Sequence, residues 1–135
     1  HRADLVAFLN ERGIPLPPGL TLGSRILLLS PEAALAAALT ALLGEIRHAA
    51  TPFAAGVEMA RAGGTVNVLV VDLADRTTGL AVIAEARVMA APRVIVLASE
   101  DEPSPEALPA DVVVRKPFAV AALAEVVWNI LEVRR

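Results

Sequence analysis

The chain contains no cysteine. That absence excludes disulfides, thiolate metal sites and cysteine nucleophiles, and it fits the expectation of a cytoplasmic protein. Aromatic residues make up only 3% of the 135 residues, so a core must be built from Ala, Val, Leu and Ile. No apolar run approaches the ~18 residues that mark a membrane span. The start, His1-Arg2-Ala3-Asp4, has neither a signal-peptide pattern nor an initiating Met, and is expected to be a cut from a longer protein. A net charge of -3 provides no field that draws nucleic acid onto the whole chain. Lysine is nearly missing as well: Lys116 is the only one among twelve basic residues.

What is present is apolar and regular. Hydrophobic residues reach 56% and charged residues 20%, which excludes a disordered chain. The first segment, 1–13, reads as a helical tail, because Leu5, Phe8 and Leu9 share one face and Gly13 stands at a C-terminal cap position. Residues 14–23 hold three prolines and read as a semi-rigid linker. The main body is expected to run over 24–135.

In that body, short apolar runs alternate with helical segments. The runs Ile26–Leu29, Val66–Val71, Val94–Leu97 and Val112–Val114 read as strands buried on both faces, and residues 45–50 as a weak edge strand. Helices are expected over 30–43 (with Ser30 as N-cap and Gly44 past the end), 53–62, 79–90 and 120–133. Prolines 103, 105 and 109 leave the fourth helix, between the last two strands, short or absent. The alternation predicts a three-layer α/β/α fold around a five-stranded parallel sheet. Working residues in such folds lie just beyond the carboxyl ends of the strands.

Those positions are Ser30, Pro31 and Glu32; Asp72; Ala98 and Ser99; and Lys116-Pro117-Phe118. With V-L-V-V-D-L around Asp72, V-I-V-L-A-S before the fourth loop and K-P-F after the fifth strand, residues 24–131 resemble a response-regulator receiver domain of the CheY-like type. The resemblance implies flavodoxin-like strand order 2-1-3-4-5. It casts Asp72 as the phosphoacceptor equivalent, with Lys116 and a Ser or Thr after the fourth strand pairing the phosphoryl oxygens. An acidic pair after the first strand would hold Mg²⁺.

The chain departs from that pattern. Ser30 and Pro31 occupy the acidic-pair positions, and Glu32 and Asp75 remain as weak substitutes for metal ligands. Ala98 takes the hydroxyl position unless a slip of one residue brings in Ser99. Val113 stands where the family places an aromatic switch. The expectation is a degenerate pseudo-receiver, not an enzyme and without a cofactor, in which Asp72 and Lys116 form a structural pair. It would act through a protein partner or as a homodimer. The alternative is an active receiver that a histidine kinase phosphorylates on Asp72 with Mg²⁺. A small-molecule or nucleotide binder is disfavoured, because no Gly-rich phosphate loop follows the first strand.

Other residues carry plainer expectations. His48 reads as structural, and Asp101, Glu102 and Glu106 as solvated surface. Val127, Trp128 and Ile130 read as core, with the exposed side of that helix available to a second copy. Residues 1–15 also resemble the end of an excisionase-like or MerR-like DNA-binding domain. That implies a transcription regulator that reaches DNA through an upstream domain.

Overall fold

In the four apolar runs, side chains alternate between two faces, yet nearly all are apolar, so both faces must be covered. A computed structural model, which describes residues 25–62, 65–72, 76–89, 91–100 and 109–134, has this arrangement. Five strands, β1 (Ile26–Leu29), β2 (Arg47–Ala49), β3 (Val68–Asp72), β4 (Arg93–Ala98) and β5 (Val112–Arg115), form one sheet. The order is β2-β1-β3-β4-β5, and every pairing is parallel. This is the flavodoxin-like order expected from the sequence.

Among the described residues, three helices fill the first three connections, α1 (Ala33–Leu43), α2 (Pro52–Ala62) and α3 (Arg76–Met89), and a fourth, α4 (Val120–Arg134), follows β5. Ile26, Leu28, Val68, Val70, Ile95 and Leu97 face α1 and α4 and meet Leu39, Leu123 and Val127. Leu27, Leu29, Leu69, Val71, Val94 and Val96 face α2 and α3 and meet Ala55, Met59 and Ile83. Trp128 and Ile130 are buried in the first of these cores, as expected.

Two boundaries need correction. Ser30 is not the cap of α1: that position is Glu32, which has extended backbone and makes no side-chain cap bond. The Ser30 hydroxyl is drawn instead into the sheet edge described below. Helix α3 starts at Arg76 rather than Gly79. The Thr77-Thr78-Gly79 run has poor intrinsic helix propensity, but Gly79 is buried, and tertiary packing overrides that preference. At the other end of α1, Gly44 takes a positive φ of 92° and its N–H bonds Thr40 O at 2.9 Å, the expected cap.

The helical tail, the linker and residues 101–108 between β4 and β5 lie outside the described residues. The short or absent helix expected in that connection falls on them. In chain order, the fourth helix of the described residues is present at full length, 15 residues from Val120.

Candidate functional site

The parallel order brings Asp72, the last residue of β3, to the centre of the sheet's carboxyl edge. Leu29 pairs with Val71, so Ser30 stands directly across from Asp72. Lys116 follows β5, and its N–H donates to Ala98 O of β4 at 2.8 Å. The Lys116–Pro117 peptide is cis.

These three side chains converge. The Lys116 ammonium donates to Asp72 Oδ1 at 2.5 Å, and the Ser30 hydroxyl donates to Oδ2 at 2.9 Å. The Asp72 side chain is only 2% exposed, while that of Lys116 is 37% exposed. Two donors, one of them cationic, meet the demand of a buried carboxylate.

Ser30 is itself held on every polar atom. Its N–H donates to Ala49 O at 3.0 Å, and its Oγ accepts from the Glu32 N–H at 3.1 Å. Its carbonyl lies 2.8 Å from His48 Nε2. A carbonyl only accepts, so Nε2 carries the proton and donates. The connected polar groups reach from His48 on β2 through Ser30 and Asp72 to Lys116, and the Lys116 backbone adds β4. Every strand of the sheet is tied at this edge.

Beside the cluster lies a cleft of about 300 Å³, lined by Leu29, Pro31, Ala50, Pro52, Asp72, Thr78 and Gly79. Among the described residues of that lining, Asp72 is the only charged one.

The structure brings together two of the expected site residues, Asp72 and Lys116. Ser99 is exposed just beyond β4, with its carbonyl accepting from Arg115 Nη1 at 3.4 Å. Ala98, fully buried at the end of β4, has no hydroxyl to offer. Glu32 is exposed at the start of α1. Asp75 lies outside the described residues. Val113 is half-buried and packs against the α2–α3 core. Ser30 is the residue that sequence reasoning missed as a functional partner. The signal was available: in order 2-1-3, the residue after β1 is the neighbour of the residue that ends β3.

Mg²⁺ prefers six oxygens in octahedral array, with at least one or two carboxylates. The residues here do not fit it. Asp72 spends both oxygens on protein donors, Ser30 and Pro31 supply no carboxylate, and no group of three His, Asp or Glu among the described residues is suited to a metal ion.

No family model matches the chain, and neither does any curated protein. Solved structures do. The chain is similar to a response regulator receiver domain protein from Clostridium thermocellum, at 18% identity and a TM-score of 0.70, covering 81% of this chain and 94% of that one. It is similar to the REC domain of AraT, a response regulator from Geobacillus stearothermophilus, at 25% identity and a TM-score of 0.63, covering 79% and 92%. It also matches NtrX from Brucella abortus, at 20% identity and a TM-score of 0.66, over 80% of this chain but 26% of that one. At these identities the likeness speaks for architecture: the chain has the flavodoxin-like fold of response-regulator receiver domains.

Proposed function

We propose that this domain is a receiver-like signalling module of a two-component-type transcription regulator, and that it works without the usual Mg²⁺-dependent phosphorylation. It is not an enzyme in this reading. It acts in the cytoplasm through contacts with a protein partner or a second copy, and reaches DNA through an upstream domain. The observation that carries the reading is the state of Asp72, whose carboxylate is 2% exposed with a donor on each oxygen.

Phosphoryl transfer to a carboxylate brings anions together. It therefore depends on cations placed around the transferring group. Among the described residues Lys116 is the only cation on Asp72, and it is already paired. Attack by Oδ2 would first require the Ser30 hydroxyl to leave. Ala98 offers no hydroxyl to a phosphoryl oxygen, and Val113 offers no ring to relay the change. Each missing 1.36 kcal/mol of transition-state stabilisation slows the step tenfold.

One observation favours the second reading, an active receiver phosphorylated on Asp72: the aspartate lines an open cleft with Lys116 beside it. Intact-mass spectrometry after incubation with acetyl phosphate and Mg²⁺ separates the two. The expected result is no mass increase. A stoichiometric gain of one phosphoryl group, absent in Asp72→Asn, would establish the active receiver.

A further inference from the structure

We propose that two copies of this chain associate at the carboxyl edge of the sheet, each placing its Phe53 ring in the other's cleft beside Pro52. The proposal rests on the reading above in one respect, that the domain acts through a second copy, and it names the surface. Phe53 is 83% exposed. Among the described residues it is the only exposed aromatic, since Phe118 is half-buried and Trp128 buried. Aromatic rings carry a large buried area into an interface and often anchor it.

The ring is held in place before any partner arrives. Pro52 opens α2, and Thr51 caps it: its hydroxyl accepts from the Ala54 N–H at 3.2 Å and its carbonyl from the Ala55 N–H at 3.0 Å. The buried side of α2 runs through Ala55, Met59 and Ala62, which leaves Phe53 on the outside. A projection fixed by a capped helix costs little ordering on association.

A seat lies beside the projection. Ala50 and Pro52, on either side of Thr51, line the cleft of about 300 Å³, whereas Phe53, one residue on, does not. Leu29 and Pro31 add apolar lining. An apolar cavity of about 150 Å³ already holds a benzene ring. Asp72 also lines the cleft, but its carboxylate is 2% exposed and paired with Lys116, so little net charge meets the ring.

This adjacency identifies the occupant. A two-fold axis passing between a projection and a neighbouring recess exchanges them, so that one patch serves both copies. No residue from Ala49 to Val57 is charged, so the two copies meet there without like-charge repulsion. Two phenyl rings bury roughly 300–500 Å² and their seats a similar area, about 600–1,000 Å² in all. That is less than the roughly 1,200 Å² of the smallest standard interfaces, so the dimer is weak and reversible.

Sedimentation equilibrium of the 135-residue chain, carried up to about 1 mM, tests this. The mean mass should rise with concentration from 14.1 kDa toward twice that value. Phe53→Glu, which puts a charge on the projection, and Ala50→Leu, which fills the recess, should each keep the chain monomeric. Val88→Glu, on the exposed side of α3, should leave the association intact. All three positions are exposed, so the urea midpoint should stay where it is. A parent chain that remains monomeric at the highest concentration would overturn the proposal. So would a dimer that survives Phe53→Glu or Ala50→Leu, or one that Val88→Glu dissolves. A second arm needs no substitution. In mixed dimers of isotope-labelled and unlabelled chains, nuclear Overhauser contacts should join the Phe53 ring of one copy to the Leu29 and Ala50 methyl groups of the other. Contacts between copies that leave out the Phe53 ring would overturn the proposal equally. The phosphorylation state of Asp72 is read separately by mass, so a monomer would sink this proposal and leave the reading of Asp72 standing.

Discussion

Two carboxylate–cation pairs close the two ends of this sheet, and they differ in everything except their chemistry. At the carboxyl edge, Asp72 meets Lys116 at 2.5 Å with its side chain 2% exposed. At the amino edge, Asp111 meets Arg93 Nε at 3.2 Å with the side chains 29% and 36% exposed. Each carboxylate takes a second donor: Asp72 from the Ser30 hydroxyl, Asp111 from the Val94 N–H at 2.7 Å. The difference teaches that pairing alone does not set a residue's weight. What matters is whether water can replace a lost partner. Around Asp111, with its side chain 29% exposed, it can do so readily; around Asp72, at 2%, it can do so far less.

The sharpest way to break this contrast is Lys116→Ala. It leaves a buried carboxylate holding only a neutral donor, a state that costs more than the pair itself contributed. The expected destabilisation is about 2–3 kcal/mol, discounted from the full buried-pair range because Lys116 is partly exposed. Urea unfolding followed by fluorescence of the single, buried Trp128 measures it. A loss no greater than that of an exposed pair would show that water reaches Asp72.

Ser30→Ala sharpens the picture from the other side. It removes the donor to Asp72 Oδ2 and the acceptor of the Glu32 N–H together. The charge stays paired, so the expected loss is smaller, about 1–2 kcal/mol. Ser30→Thr, which keeps the hydroxyl, should recover part of that loss in the same unfolding experiment. If Ser30→Ala is neutral, the hydroxyl is a bystander and the reading of Asp72 as fully engaged weakens.

Asp72→Ala should cost still less, no more than about 1 kcal/mol, since the freed Lys116 extends to water and the Ser30 hydroxyl keeps one partner. The asymmetry between the two halves of one pair is the useful measurement. Comparable losses for Asp72→Ala and Lys116→Ala would mean that the pair is symmetric in its surroundings.

The sequence discloses these two edges unequally, for physical reasons. Near-continuous apolar runs at 26–29, 66–71 and 94–97 mark strands covered on both faces, alternation with helices makes the sheet parallel, and the receiver resemblance implies the order. Once the order is known, Asp72 and Lys116 must share an edge. Ser30 was less legible, because a serine before Pro-Glu has the local signature of a helix cap. Only the cross-strand register turns it towards Asp72. The start of α3 is hidden for a related reason: Thr77, Thr78 and Gly79 carry loop-like local preferences, and the burial of Gly79 is a tertiary fact. His48 reads as structural from the sequence, and its bond to Ser30 O gives that role a partner.

The smallest effect is expected at the amino edge. Arg93→Met keeps an apolar stem of similar length and removes only the charge, so packing against the sheet is largely preserved. Asp111 retains the Val94 N–H, and its backbone N–H still donates to Val94 O at 2.8 Å. Partly exposed pairs of this kind contribute little, because the Coulomb gain is offset by side-chain ordering, and the expected loss is about 0.5 kcal/mol or less. Salt then separates the two pairs on physical grounds. At 1 M ionic strength the screening length falls to about 3 Å, which removes most of an exposed interaction but leaves one that solvent does not reach. Measured in low and high salt, the difference between Arg93→Met and the parent chain should vanish, while the loss from Lys116→Ala should persist. A Lys116→Ala effect that salt also abolishes would place Asp72 in contact with solvent, and the two edges of the sheet would then be governed by the same electrostatics.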